Sequence, residues 1–182
     1  YSFCMCPGGY VVNSSSKRGE LVINGMSNYK RDSENSNSAI VCSVSEKDYG
    51  TNLFDGIKFQ EELEQKAYQL GGGLIPIQLY GDFKNNTKSS SFKNVNPIFK
   101  GGYTFSNLRD LFPKTIADAL IEAIDSFDAK IKGFNRFDSL VAGVETRTSC
   151  PIRIVRNLDM TTNILGIYPC GEGSGYSGGI TT

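Results

Sequence analysis

The segment 113–132 most constrains what this chain can fold into, because it carries the clearest helical pattern in the sequence. Its apolar residues recur at spacings of three and four, which places them on one face of an α-helix. Pro113 is typical of a first helical turn, and Gly133 follows as a stop signal. The same periodicity predicts a second helix over 54–70, ended by Gly71.

Short apolar runs with strand character lie before, between and after these helices. The runs are 3–12 (with a turn inside it), 21–24, 39–44 and 141–146. A further run, 74–79, contains Pro76, which predicts an edge strand. Because strands and helices do not alternate, we predict an α+β fold with a mostly antiparallel sheet and two main helices packed on one face.

The C-terminal stretch changes character abruptly. The apolar run 164–168 predicts a buried strand, and the residues after it are rich in glycine, with one carboxylate, Glu172. Glycines let a backbone approach a flat or charged group closely, with its N–H groups facing that group. The residues alone leave two interpretations open, an unfinished ligand-binding turn and a floppy tail.

Composition excludes several classes of function. Nineteen basic residues balance nineteen acidic ones, and no apolar run approaches the roughly 20 residues of a membrane span, so we expect no nucleic-acid and no membrane partner. The chain has no histidine, which excludes a Ser-His-Asp enzyme and a zinc hydrolase within it. Five irregularly spaced cysteines indicate reduced thiols in a cytoplasmic protein rather than disulfides or a metal site. Because the chain starts at Tyr1 without a signal-peptide pattern, we interpret it as a piece of a longer polypeptide.

A few side chains are candidates for chemistry. Cys4 and Cys6 lie two apart in a predicted strand and hence on one face, either as a redox pair or as small buried apolar residues. The polar stretch 25–38 is either disordered surface or a loop that presents Arg31 to a ligand. Glu145 and Arg147 alternate on one face and form a candidate ion pair beside a pocket.

Several segments, taken in order, resemble one family, the uncharacterised bacterial FAD-dependent dehydrogenases, or NAD(P)/FAD-dependent oxidoreductases. The matching segments are SFCMCPGGYVV (2–12), NGMS (24–27), RD (31–32), NSNSA (35–39), GVETRTS (143–149), YPCGEG (168–173) and GYSGGI (175–180). They span nearly the whole chain, and their ordered combination is specific although each alone is weak.

The resemblance implies a division of labour. Residues 1–151 would be an inserted α+β domain that shields the isoalloxazine of FAD, and 152–182 a returning strand and glycine-rich turn of an FAD-binding domain. The residues that would contact FAD are Gly171, Glu172, Gly173, Gly178, Gly179 and Ile180. No Gly-x-Gly-x-x-Gly turn lies within a β-α-β unit here, so the expected partner is an N-terminal dinucleotide-binding half of the same polypeptide. By itself the chain is then expected to bind FAD weakly or not at all.

The resemblance therefore implies part of a flavin-dependent oxidoreductase that acts on a small molecule of unknown identity. On the substrate side, the candidates are Arg31, Glu145, Arg147, Cys4 and Cys6. An alternative from a different class stays open, a non-catalytic flavin-binding sensor or a protein-interaction module. We do not expect the chain alone to be active.

Overall fold

The structure of the protein, a computed structural model, describes residues 1–176. The α+β class is confirmed. The strands of this part are β1 (Ser2–Cys6), β2 (Gly9–Asn13), β3 (Ile23–Ser27), β4 (Asn37–Ile40), β5 (Ile75–Leu79), β6 (Phe99–Lys100), β7 (Tyr103–Phe105) and β8 (Leu140–Ala142). The α-helices are α1 (Glu46–Tyr49), α2 (Asp55–Gly71), α3 (Tyr80–Asn85) and α4 (Lys114–Phe127), and 3₁₀ turns span Leu108–Asp110 and Glu172–Ser174.

The two long helices, α2 and α4, confirm the helices predicted from periodicity. Helix α4 starts directly after Pro113 and ends at Phe127, before the predicted Lys132, and turns follow it. Proline at that position costs no hydrogen bond, because the first N–H groups of a helix have no partner within it. Among residues 1–176, no helix is both long enough and apolar enough to cross a membrane.

The strands form three small sheets instead of one, and the predicted predominance of antiparallel pairing is confirmed. Strand β1 pairs with β4, strand β2 lies between β3 and β6, and strand β5 lies between β7 and β8. The pairs β2–β6 and β5–β7 are parallel, and the other three pairs are antiparallel. The run 3–12 does not pair with itself as a hairpin, because β1 takes β4 as its partner while β2 takes β3.

The chain divides into two compact units. The first combines Tyr1–Ser43 with Leu63–Glu145 and contains every described strand, together with α3 and α4. The second combines Val44–Glu62 with the chain from Thr146 on, and it is built mainly of loops besides α1 and the start of α2. The predicted domain boundary at residue 151 stays a prediction.

Strand β5 is the centre of the first unit, and every one of its residues is buried. The prediction that Pro76 marks an edge strand is therefore wrong. The Pro76 carbonyl accepts a hydrogen bond from Gly143 N at 3.3 Å, and Gly143 lies one residue beyond the end of β8. In a strand, the N–H and C=O of one residue point to the same side, which for Pro76 is the side of β8. The β5–β8 ladder has already ended at this point, so the missing N–H of proline costs little stability.

A buried glutamine ties β5 to the loops that follow it. Gln78 is fully buried, and its amide donates to Thr87 O (2.6 Å) and Asn107 Oδ1 (3.2 Å). Its carbonyl Oε1 accepts from Leu108 N at 2.8 Å, at the start of the 3₁₀ turn. A buried amide is stable only when its donors and acceptors are paired, and here they are paired with loop atoms that would otherwise be unsatisfied.

A second network joins α3, which directly follows β5, to helix α4. The Tyr80 hydroxyl, on an almost fully buried side chain, donates to Asp125 Oδ1 at 2.7 Å, and Lys84 Nζ lies 2.7 Å from Asp125 Oδ2. Burial alone would raise the pKa of Asp125, but bonds from Lys84, Tyr80 and Asn135 outweigh it and hold that pKa below its usual value of 3.8. Asp125 is therefore ionised in the folded protein at neutral pH and fastens α4 to the β5 region.

We predict that Gln78→Leu destabilises the protein by about 3 kcal/mol, because it leaves buried groups without partners at about 1–3 kcal/mol each. Gln69→Leu on the exposed face of α2 is the matched control, and we expect a change of about 0.5 kcal/mol or less there. Equilibrium urea unfolding followed by circular dichroism measures both. Equal destabilisation by the two variants would contradict the role of the Gln78 network.

We predict that Asp125→Asn destabilises the protein by about 1 kcal/mol at pH 7 and by progressively less in acid. The folded pKa of Asp125 is depressed, so its contribution is present above the unfolded value of 3.8 and is lost as the pH falls through the lower folded value. Urea unfolding at pH 7 and pH 3 measures this, with the exposed Asp110→Asn as control. A difference between wild type and Asp125→Asn that is the same at both pH values would be the contrary result.

Candidate functional site

The run 164–168 does not form the predicted buried strand. It is a turn at Gly166, which has φ 83°, and Leu165 and Tyr168 are 99% and 63% exposed. Its backbone bonds are local, from Thr162 N to Ile167 O and from Ile167 N to Ile164 O. A strand needs a neighbouring strand to pair its backbone groups, and within residues 1–176 this run has none.

The glycine-rich turn after this run is partly described, and its central residues are open. Gly171 has φ 75° and precedes the 3₁₀ turn Glu172–Ser174, in which Glu172 is exposed. At Gly171 and Gly173, a side-chain Cβ would meet no heavy atom within 4 Å among the described residues. Among residues 1–176, no side chain covers the space that a Cβ would take at either glycine. The predicted FAD contacts Gly178, Gly179 and Ile180 lie outside the described residues.

The segment 152–156 holds this turn in place within the second unit. Ile154 N donates to Ser174 O at 3.1 Å, and the Tyr176 hydroxyl donates to Ile154 O at 2.9 Å. Gly175 has φ 80°, and a Cβ there would lie 2.5 Å from Ile152 O, so only glycine fits this close approach. Ser174 is buried, and its hydroxyl donates to Gly171 O at 3.0 Å.

Two arginines on the same segment stack on one aromatic ring, and sequence reasoning missed all three residues. The guanidinium carbons of Arg153 and Arg156 lie 4.3 Å and 3.7 Å from the centroid of the Tyr176 ring. An open groove of about 780 Å³ is lined by these side chains and by the loop 157–160. The only signal in the sequence was the Arg-x-x-Arg spacing, because the ring that gathers the arginines lies twenty residues further on.

Arg31 lies on an ordered loop over the Pro7–Gly8 turn, in the first unit. The Gly8 carbonyl accepts from Ser33 Oγ at 3.0 Å, and a Cβ at Gly8 would overlap the Arg31 backbone. Arg31 itself has φ 53°, a left-handed conformation that is uncommon for residues other than glycine, and its side chain is exposed. The loop itself is shorter than the polar stretch 25–38, because β3 continues to Ser27 and β4 begins at Asn37. Presentation of Arg31 to a ligand stays a prediction.

The two N-terminal cysteines do not lie in a regular strand. Cys4 has φ 51°, and the β1–β4 register shifts between Phe3 and Cys6, so the strict alternation assumed from the sequence is interrupted. Cys4 is exposed, which makes the interpretation as a small buried apolar residue wrong for it. The Cys6 thiol, which is half-buried, donates to Cys4 O at 3.3 Å, and both cysteines are free thiols.

Glu145 and Arg147 differ in environment. Glu145 is half-buried, and its desolvation raises the pKa of its carboxyl. Partial desolvation, the Glu145 carboxylate and Cys6, in that order, raise the pKa of the Cys4 thiol. Arg147 is exposed and belongs to the second unit, whereas Glu145 ends the first, so their predicted pairing stays a prediction. Across residues 1–176, no group of His, Cys, Asp or Glu side chains could hold a metal ion.

Comparison with known proteins shows which family this chain belongs to. The family model described as FAD-dependent protein, C-terminal domain-like, matches residues 1–148. An uncharacterized protein of Clostridium beijerinckii is 47% identical over 184 residues, which cover 99% of this chain and 34% of the relative. The chain thus spans about a third of that relative's length. Because the family match covers most of the chain, this protein belongs to the FAD-dependent proteins, as their C-terminal domain-like region.

Proposed function

We propose that this chain is the part of an FAD-dependent oxidoreductase that shields the isoalloxazine ring and contacts the ribitol and flavin. Membership in the FAD-dependent family over residues 1–148 is the observation that carries the proposal. In this proposal, the other partner in FAD binding is an N-terminal dinucleotide-binding half of the same polypeptide. The relative is about three times as long as the aligned region, which leaves room for such a half.

The residues of the glycine-rich turn fit a hydroxylated, flat ligand. The open backbone at Gly171 and Gly173 permits close approach of a ring or chain, and the exposed Glu172 carboxylate accepts hydrogen bonds from hydroxyl groups. A carboxylate at this place fits ribitol hydroxyls and does not fit a phosphate, which it would repel. Gly178, Gly179 and Ile180 are part of the proposed contact on the strength of the resemblance alone.

On the substrate side, the chain offers binding groups rather than a histidine base. FAD, when bound, supplies the electron or hydride transfer, so none of these side chains needs to do so. Either Arg31, on the loop between β3 and β4, or Arg147 is proposed to bind a carboxylate of the substrate. Glu145, whose pKa is raised by desolvation, is proposed to orient a polar group of the substrate.

The cysteines take a lesser part in the proposal. A thiol attacks as its thiolate, and the raised pKa of Cys4 keeps that thiol protonated at neutral pH. An exposed but protonated thiol is a weak nucleophile. We therefore propose that Cys4 and Cys6 serve the geometry of the β1–β2 turn, with no step in the reaction.

We predict that a polypeptide joining this chain to its dinucleotide-binding half purifies with visible flavin absorption. Glu172→Gln should weaken its FAD affinity about tenfold, since a hydrogen bond to a charged group contributes about 1.5–3 kcal/mol. Flavin fluorescence titration of the stripped protein measures the affinity, with the exposed Glu34→Gln as control. A colourless protein that takes up no FAD would overturn the proposal.

The same preparation distinguishes an oxidoreductase from a flavin-binding sensor. After anaerobic photoreduction, an oxidoreductase should be reoxidised rapidly by at least one organic acceptor. Reoxidation by oxygen alone, and slowly, would favour the sensor. Arg31→Gln should then raise the KM for a carboxylate acceptor more than it lowers kcat, because it removes binding that the ground state already uses.

We predict that Glu145→Gln lowers the pKa of the Cys4 thiol, because it removes a carboxylate that disfavours the thiolate. The rate of Cys4 alkylation by iodoacetamide, followed by mass spectrometry against pH, measures that pKa in a Cys6→Ser background. Glu34→Gln, at an exposed residue that also belongs to the first unit, is the control for loss of one negative charge. An unchanged alkylation profile in Glu145→Gln would show that the two groups are not coupled.

A further inference from the structure

We propose that Arg153, Arg156 and Tyr176 form a binding site for the phosphate group of a hydroxylated ligand. The site is the open groove of the second unit, and it is distinct from the turn at Gly171–Gly173 that is proposed above for ribitol. The inference stands on the groove's own geometry and does not require the proposed function. A phosphate ester is the class of ligand, whether it belongs to FAD or to a separate small molecule.

The two guanidinium groups contact the same aromatic ring and have no carboxylate partner in the described part of the chain. Both stack on the Tyr176 ring, and within residues 1–176 no carboxylate lies within ion-pair distance of either arginine. Arg156 donates one hydrogen bond, from Nη1 to Pro169 O at 2.8 Å, out of five N–H groups that it carries. A phosphate dianion in the groove would gain charge-assisted hydrogen bonds from guanidinium N–H groups that bind no carboxylate of the described residues.

The arginines are held before any ligand arrives. Tyr176 is fixed by its hydroxyl bond to Ile154 O, and Ile154 N in turn donates to Ser174 O. The ring face attracts guanidinium groups and restricts their rotamers, so less entropy is lost on binding. The guanidinium fork of arginine can bind two phosphate oxygens at once, which a lysine ammonium group, as a point charge, does not match.

The rest of the groove indicates a phosphate ester rather than inorganic phosphate. Asp159 lines the groove, and hydrogen bonds from Thr161 lower the pKa of its carboxyl, so it is an ionised acceptor suited to ligand hydroxyls. Leu158 and Met160 line the same groove and are 103% and 51% exposed, which offers apolar surface to the body of a ligand. Phosphate at the arginines and hydroxyls at Asp159 together describe a sugar phosphate or nucleotide.

The test is isothermal titration of the full 182-residue chain with inorganic pyrophosphate as probe. We expect binding that weakens with added salt. Arg153→Gln with Arg156→Gln should weaken it at least tenfold, and Tyr176→Leu several-fold, whereas the exposed Arg18→Gln, the matched loss of one arginine, should leave it within twofold. The single variants Arg153→Gln and Arg156→Gln replace the double variant if circular dichroism shows that the latter is unfolded.

Competition then identifies the source of the phosphate. If FAD displaces pyrophosphate and riboflavin does not, the group belongs to the flavin; if ribose 5-phosphate displaces it and FAD does not, the ligand is a separate ester. Either result supports the site. No pyrophosphate binding, equal binding by the arginine variants, or no displacement by either ester overturns it. Pyrophosphate binding together with a flavin-free longer polypeptide would refute the proposed function and leave this site intact.

Discussion

The buried strand β5 is the element on which the first unit depends. Every residue of it is buried, and its one polar side chain, Gln78, pairs its donors and its acceptor with the loops that follow. A strand buried on both faces contributes apolar area to two layers at once, and a paired amide inside it fixes the loops without the cost of unsatisfied groups. Tyr80, directly after the strand, donates a hydrogen bond to Asp125 and so connects this region to α4.

The second unit is held together by different interactions. It has little regular structure, and its described C-terminal part is held by backbone bonds between Ile154 and Ser174 and by the arginines stacked on Tyr176. Several large apolar residues of this unit, such as Val155 and Leu165, are 80% and 99% exposed. Open glycines, two arginines and exposed apolar side chains thus occur together in this unit.

Sequence patterns predicted the elements better than their partners. The spacing of apolar residues by three and four located α4 and α2, because the residues on the buried face of a helix are close together in the sequence. Strand pairing involves residues that are far apart in the sequence, and β1 accordingly pairs with β4 instead of β2. Pro76 lies in a central strand, at a position where the ladder requires no backbone N–H. The run 164–168 failed as a strand for the same reason, since apolar residues supply no ladder partner.

The sequence by itself determined the α+β class, the two helices and, through ordered motifs, the membership in the FAD-dependent family. Only the tertiary structure decided the left-handed backbone at Cys4 and Arg31, and at Arg31 the backbone lies against Gly8, which is distant in the sequence. It alone also brought Arg153 and Arg156 onto the ring of Tyr176. The physical reason is common to these cases: periodicity reports on neighbours along one element, whereas a site is made by contacts that close long loops.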